Sequence, residues 1–494
     1  MIKSHSIEII KTFSKDEFKR FVDFAESPYF NKNSNLLKTV KYLKRLSPEF
    51  KGDKLEDEKI WTAVFGKKQF NYGVMKNLTH ELKKLTDKFT SIEIYSKNES
   101  QINFNILQYL KFKSLPEIFE KNFANTLKKY ADEKISFDIS LHRYKAMDLE
   151  RTFKVYFGKP GTKKDLSGSE CMDELTYYFF STYFYNSYCE IVDSAVYNYK
   201  SDFTNFRVFT DLYKKNFYYG KNLLADIFYN AVMMFMERDS FGYFVELKKL
   251  FYENFNKLHV DIGYNIGAIL TSYCVLSKPV PGKNFVKEEF EILCFLSKNN
   301  ILKHSSHKYI DSNLFSKFAD ICVVLDRPEQ CEELIEKCRY QLNPVNGKIR
   351  IQIADAHLQN HLKNYDKALD IISKSRPVNC DEKLKLRGIE LIINFNLKNY
   401  ETVYTLIRNF RSFVEYEKLL TKLHRDIFIS FLNYVKKLTD MNTNLYDSLN
   451  KEKELSSMLT KISTEKTANR KWLMTVMNEM YEKIKKHSSK RKKV

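Results

Sequence analysis

Only 13 glycines and 9 prolines punctuate the 494 residues of this chain, and that scarcity of breakers limits its fold more than any other feature. An average chain carries roughly 7% Gly and 5% Pro, so turns here are few and the segments between them long. A sandwich or barrel of short strands needs a turn about every ten residues and is excluded on that ground. Apolar residues recur instead at spacings of three and four, which places them on one face of a helix. The expected fold class is all-α.

Ser14, with Glu17 three residues on, has the capping-box spacing ahead of a helix that puts Phe18, Phe21, Val22 and Ala25 on one side, and Ser27-Pro28 stops it. Further helices are expected at about 35–46, 56–65 and 72–89, the last with Val74, Leu78, Leu82, Leu85 and Phe89 as its buried stripe. Gly66 stands where a left-handed C-terminal residue is expected. More helices are expected at about 102–113, 116–132 and 136–156, followed by a loop from Phe157 to Glu170 that holds Gly158, Pro160, Gly161 and Gly168. Leu175 to Tyr199, dense in Phe and Tyr, reads as a central helix buried on more than one side, and Lys278-Pro279-Val280-Pro281-Gly282 as a boundary.

The length exceeds the roughly 250–300 residues at which a single core stops growing, so two or more core units or an extended solenoid are expected. The 39 Phe and 32 Tyr, with 43% hydrophobic and 29% charged residues, exclude global disorder. No apolar run reaches the 18 or so residues of a membrane span, and Met1 to Phe13, interrupted by Lys3, Glu8 and Lys11, does not read as a secretory signal. A cytoplasmic location follows as an expectation. The eight cysteines show no C-x-x-C pair and read as free, mostly buried thiols.

Laying residue n over n+35 between 349 and 411 superposes Leu362-Lys363-Asn364-Tyr365 on Leu397-Lys398-Asn399-Tyr400. The same offset pairs Ile351 with Leu386, Leu358 with Ile393, Ala368 with Val403 and Ile372 with Ile407, so both helices of a hairpin keep their apolar faces at one spacing. An earlier copy at an offset of 37 places Leu325-Asp326-Arg327-Pro328 over Leu362 to Tyr365 and Cys331 over Ala368. With this period, and Asn364-Tyr365-Asp366-Lys367-Ala368-Leu369 as the turn between two helices, the stretch 300–412 resembles the tetratricopeptide-repeat family. It departs from the family pattern in the first helix, where Asp355 and Glu390 fall near the usual small residue.

The resemblance implies a helical-hairpin solenoid whose concave groove, lined by the first helix of each pair, holds a protein or peptide. Gln352, Gln359, Asn360, Arg387 and Asn394 lie off the buried stripe and could hold an extended backbone or a carboxylate, and they equally suit ordinary solvated positions. Four segments result: an N-terminal helical module (1–90), an aromatic-rich helical region (91–280), tetratricopeptide-like repeats (281–440), and a C-terminal helix with a basic tail (441–494). Phe18-Lys19-Arg20-Phe21 and Ser27-Pro28-Tyr29-Phe30-Asn31 give the first segment a resemblance to a family of uncharacterised bacterial helical proteins, which implies no activity.

The net charge of +20 is concentrated at the ends. Residues 1–90 hold 19 Lys/Arg against 12 Asp/Glu, and residues 461–494 hold 11 against 3. Helix, glycine-containing turn and longer helix over 54–89 follow the order of a helix-turn-helix, with Lys76, Asn77, His80, Lys83 and Lys84 opposite the apolar stripe, although any helical hairpin with a solvated face has that order too. Residues 485–494, with Lys490, Arg491, Lys492 and Lys493, read as a flexible basic tail able to neutralise phosphates.

No phosphate-binding glycine motif, zinc-protease motif or nucleophile elbow occurs. His357 and His361 share a helix face at a spacing of four, but no Cys or acid at recognised spacing completes a metal set. No catalytic residue, cofactor or metal is therefore expected. The first functional expectation is a non-catalytic interaction scaffold with a protein or peptide partner, and the alternative is a nucleic-acid-associated regulator using the 72–89 helix and the tail.

Overall fold

The computed structural model describes residues 5–50, 52–157, 168–196, 205–216, 218–237, 240–276, 282–443 and 448–491. Among them the chain is all-helical, with no strand, and one isolated parallel bridge pairs Ile135 with Leu258. Two compact units result, Met1–Tyr130 with Lys145–Leu166, and Ala131–Tyr144 with Ser167–Val494. Among the described residues one apolar cluster draws on positions from Phe180 to Leu358 and another on positions from Leu384 to Met477.

The first unit is built from α1 (His5–Ile10), α2 (Lys15–Glu26), α3 (Ser34–Leu46), α4 (Asp57–Phe65), α5 (Tyr72–Tyr95), α6 (Glu99–Phe112), α7 (Pro116–Asp132) and the part of α8 (Phe137–Phe157) from Lys145 onward. The capping box forms: Glu17 N–H donates to Ser14 Oγ at 3.2 Å, and Ser14 N–H to Glu17 Oε2 at 2.7 Å. Phe18, Phe21, Trp61 and Phe89 share one core. Gly66 ends α4 at φ +69° and ψ −131°, a positive-φ conformation open to glycine but outside the left-handed helical well expected of it. The stripe of α5 differs at one position, since Met75 is buried and Val74 is 43% exposed. Each residue turns the helix by about 100°, which carries Val74 off the line of Met75, Leu78 and Leu82.

The second unit contains α9 (Gly168–Val196), α10 (Phe206–Lys215), α11 (Leu223–Met236), α12 (Phe241–Asn254), α13 (Val260–Leu276), α14 (Phe285–Lys298), α15 (Ser312–Val324), α16 (Pro328–Cys338), α17 (Gly347–His361), α18 (Tyr365–Lys374), α19 (Cys380–Asn396), α20 (Tyr400–Tyr416), α21 (Lys422–Asn442), α22 (Ser448–Thr464) and α23 (Arg470–Arg491). In α9 the fully buried aromatics, Phe180, Phe184 and Tyr188, form a single stripe, whereas Phe179 is 40% exposed. The flanking Tyr177, Tyr178, Tyr183 and Tyr185 are half-buried, and Tyr183 and Tyr185 pack against the same core from either side of the stripe. The expected loop and boundary fall at 158–167 and 277–281, outside the described residues, and α9 already begins at Gly168. At the C-terminus α23 runs through Arg491, which makes residues 485–491 helical where a flexible tail was expected. Lys and Arg are good helix formers, and Leu473 and Met477, both fully buried, anchor the helix from which those turns propagate.

Between 312 and 416 the helices pack in a regular order. α15, α17 and α19 each pack on the helix that follows, α16, α18 and α20, and each of these packs on the next helix in the chain. α15 also lies against α17, and α17 against α19. The turns are geometrically equivalent. Asp326, Lys363 and Lys398 adopt φ of 59°, 63° and 63°, at the offsets of 37 and 35 read from the sequence. The N–H after each donates back to the carbonyl five residues earlier, Arg327 to Cys322 at 2.8 Å, Asn364 to Gln359 at 2.8 Å and Asn399 to Asn394 at 3.0 Å. This is the Schellman closure, which satisfies the last carbonyls of a helix while reversing the chain. Cys331, Ala368 and Val403, the matched small or branched residues of the second helices, have no exposed surface.

A side chain in the left-handed region costs roughly 1–2 kcal/mol. Lys363→Gly is accordingly expected to raise unfolding stability by about 1 kcal/mol and Lys363→Val to lower it by a similar amount, with Lys398 responding alike in urea denaturation. Equal stability of the two Lys363 variants would contradict the turn geometry.

Candidate functional site

The first helices of the three hairpins, α15, α17 and α19, carry the residues expected to line a groove. Two of the five are committed to the turns. Gln359 is 6% exposed; it donates to Asp355 Oδ1 at 3.0 Å and accepts from Asn364 Nδ2 at 3.0 Å. Asn394, 8% exposed, repeats the arrangement one hairpin on, donating to the Glu390 carbonyl at 2.9 Å and accepting from Asn399 Nδ2 at 3.4 Å. These amides brace the reversal from inside. Arg387 lies over the Phe413 ring at 4.7 Å and donates to the Asn409 carbonyl at 3.4 Å, so it faces its own hairpin. Gln352 is half-buried, and Asn360 keeps a buried Oδ1 with no hydrogen-bond partner.

A row of charge that the sequence analysis did not single out crosses the same helices. Asp320 on α15 receives Lys385 Nζ from α19 at 2.9 Å on one oxygen and meets His357 Nδ1 from α17 at 3.2 Å on the other. Burial opposes ionisation of Asp320, but the Lys385 ammonium and the His357 hydrogen bond outweigh it and hold the carboxyl below the usual range. Burial likewise opposes charging of Lys385, and Asp320 and Asp381 more than restore it. Arg350, only 7% exposed, binds Asp381 at 2.8 Å and lies 3.4 Å from Glu382. The Glu382 carboxylate in turn caps α19 by accepting from the Val378 N–H at 2.9 Å.

His357 and His361 share a face as their spacing requires, and each meets an aspartate of the preceding hairpin, Asp320 and Asp326 respectively. A signal for this row was present. The offset of 37 sets Asp320 over His357, and the offset of 35 sets Arg350 over Lys385, a base kept at matched positions of an otherwise buried face.

Beside the row stand two charged groups without hydrogen bonds among the described residues, Glu289 on α14 and Lys317 on α15. Burial pushes the Glu289 carboxyl up to about 7, with Lys317 offsetting part of the effect. Burial pushes the Lys317 ammonium down, against the pull of Glu289.

The chain itself covers one end of these helices. Lys471 Nζ donates to the Val324 carbonyl at the end of α15, and Trp472 donates to Asn396 Oδ1 at 3.3 Å while packing edge-on to Phe395. Asn469 approaches Gly388 so closely that a Cβ there would meet its Nδ2 at 3.3 Å.

In the first unit, Lys76, Asn77, His80, Lys83 and Lys84 are all exposed on one side of α5. Lys84 is paired with Glu81 at 3.4 Å. The side chains of Lys490 and Arg491, and the whole of Lys492 and Lys493, lie outside the described residues. Among the described residues no helix is long and apolar enough to cross a membrane.

No family model matches the chain, and no solved structure matches it. Among curated proteins it is similar to Protein Ycf2 of Physcomitrium patens, at 22% identity over 350 residues that cover 62% of this chain and 14% of that protein. A likeness of that size and coverage assigns neither a family nor an activity. The two family resemblances read from the sequence have no family match behind them.

Two outcomes follow from the charged row. An unfolded glutamate titrates near 4.3, below the folded Glu289, so the contribution of this group to stability is complete below that value and is lost as pH rises through about 7. The melting temperature of the second unit should therefore fall between about pH 5 and pH 8.5, and Glu289→Gln should remove roughly 2–3 kcal/mol of that dependence. Lys385→Met strands the Asp320 carboxylate with His357 alone and is expected to cost about 2–3 kcal/mol. Adding Asp320→Asn should recover part of that loss, read as a coupling in a double-mutant cycle.

Proposed function

We propose that this protein is a non-catalytic, cytoplasmic interaction scaffold, and that its hairpins over about 300–412 act as a tetratricopeptide-like solenoid holding a protein or peptide along α15, α17 and α19. The observation that carries the reading is the equivalence of the three turns. Matched left-handed residues and matched five-residue closures set successive first helices side by side, and a row of such helices offers one continuous surface rather than a closed core. The turn geometry narrows the contact set. Gln359 and Asn394 are held by their turns and Arg387 by Phe413, which leaves Gln352, Asn360 and the Asp320–His357–Lys385 row. The Oδ1 of Asn360 is itself enclosed, so the half-buried Gln352 is the amide better placed to meet an extended chain.

A second reading, a nucleic-acid-associated regulator, draws on the exposed Lys76, His80, Lys83 and Lys84 of α5. One experiment separates the two. A photo-crosslinking amino acid placed at Gln352 should capture a polypeptide whether or not nuclease is present, and the same group at the exposed Asp370 of α18 should capture none. Capture that disappears with nuclease, or that is equal from both positions, sinks the scaffold reading.

A further inference from the structure

The stretch Ser27-Pro28-Tyr29-Phe30-Asn31 is too rigidly built for a plain connector. Phe30 and Asn31 N–H both donate to the Ser27 carbonyl, at 3.0 and 2.9 Å. Asn31 Nδ2 donates to the Ala25 carbonyl at 2.8 Å, and its Oδ1 accepts from Asn33 N–H at 2.8 Å. Asn33 Oδ1 then caps α3 by accepting from Asn35 and Leu36 N–H, at 3.0 and 3.3 Å. The whole Asn31 amide and the Asn33 Oδ1 are engaged in holding the loop, so its shape is set before anything binds. Phe24 stacks on Phe30 at 4.0 Å and fixes that ring too.

This braced loop faces α5 across a cleft of about 560 Å³, within the range of small-ligand sites. Phe30, Leu36 and Leu85 give it apolar surface, and Lys32, Lys84 and Lys88 contribute three ammonium groups. Lys88 lies over the Phe30 ring at 5.3 Å, and Lys84 is shared with Glu81. Neither Lys32 nor Lys88 has a carboxylate partner among the described residues. The capped start of α3 adds the positive end of a helix dipole on the same side.

The geometry points to a nucleoside-phosphate site in this cleft, with the phosphate among Lys32, Lys84 and Lys88 and the planar base against Phe30. Lysine binds phosphate as a point charge and needs no planar fork, and a base gains about 1–3 kcal/mol by stacking on an aromatic ring. Glu81, the one acid in the lining, pairs with Lys84 at 3.4 Å. The same chemistry is offered by a free nucleotide and by one nucleotide of a single strand. The site is independent of the scaffold reading, which concerns the other unit. It shares only Lys84 with the α5 face of the second reading.

The test is titration of the full chain with adenosine monophosphate, inorganic phosphate, a single-stranded decamer and a duplex of the same sequence. Adenosine monophosphate or the single strand should bind more tightly than inorganic phosphate or duplex. Lys32→Gln with Lys88→Gln, both exposed and without ion pairs, should weaken that binding at least tenfold without moving the melting temperature. Phe30→Leu should weaken the nucleotide and leave inorganic phosphate unchanged. Binding by the mononucleotide alone identifies a free nucleotide as the ligand, and a tighter single strand identifies a strand. The inference fails if neither binds, if inorganic phosphate binds as well as the nucleotide, or if duplex binds best and responds to Lys76→Gln with Lys83→Gln and not to the cleft variants.

Discussion

A helix that must end has to leave its last carbonyls somewhere, and in the second unit the same solution recurs, at Asn300 after α14 and in all three hairpins. A single left-handed residue, Asp326, Lys363 or Lys398, lets the following N–H close back onto the helix, and that closure sets the angle at which the next helix departs. With the closure repeated, Cys331, Ala368 and Val403 lie at matching buried positions, and α15, α17 and α19 are in side-by-side contact. The amides at Gln359 and Asn394 belong to the same device, each bound to the asparagine just past the left-handed residue. If the turn geometry were lost, neither the stacking nor the charged row would survive, since both depend on first helices lying close together.

That closeness explains how Lys385 of α19 can reach past α17 to Asp320 of α15. Three helices are pinned by one carboxylate that meets both neighbours, an arrangement in which desolvation is opposed by the Lys385 ammonium and the His357 hydrogen bond. Glu289 and Lys317 lie nearby but remain without hydrogen bonds, and burial moves each toward its neutral form. The inner surface is thus partly self-satisfied, partly charged and open, and at one end covered by Lys471 and Trp472 of the same chain. On the proposed scaffold reading a partner would engage the half-buried Gln352 rather than the residues already bound.

The first unit owes its order to other contacts. A capping box starts α2, aromatic packing among Phe13, Phe21, Phe24 and Phe89 fills the space between α2 and α5, and an asparagine-braced loop joins α2 to α3. Its positive charge is exposed on α5 in the face read from the sequence, while the loop opposite supplies a rigid aromatic wall.

The sequence by itself determined the helical class, the capping box at Ser14, the helix stop at Gly66 and the register of the hairpin turns, because each depends on residues only a few positions apart. The offsets of 37 and 35 were legible for the same reason, since every copy repeats a local pattern. Tertiary structure decided what periodicity cannot encode. Whether Val74 or Met75 is buried depends on which neighbour α5 packs against, and whether Gln359 and Asn394 face a groove or a turn depends on where Asn364 and Asn399 come to lie. That residues 485–491 continue a helix depends on the packing of Leu473 and Met477. The Asp320–His357–Lys385 row joins positions up to 65 residues apart, and such a contact exists only once the intervening hairpin has closed.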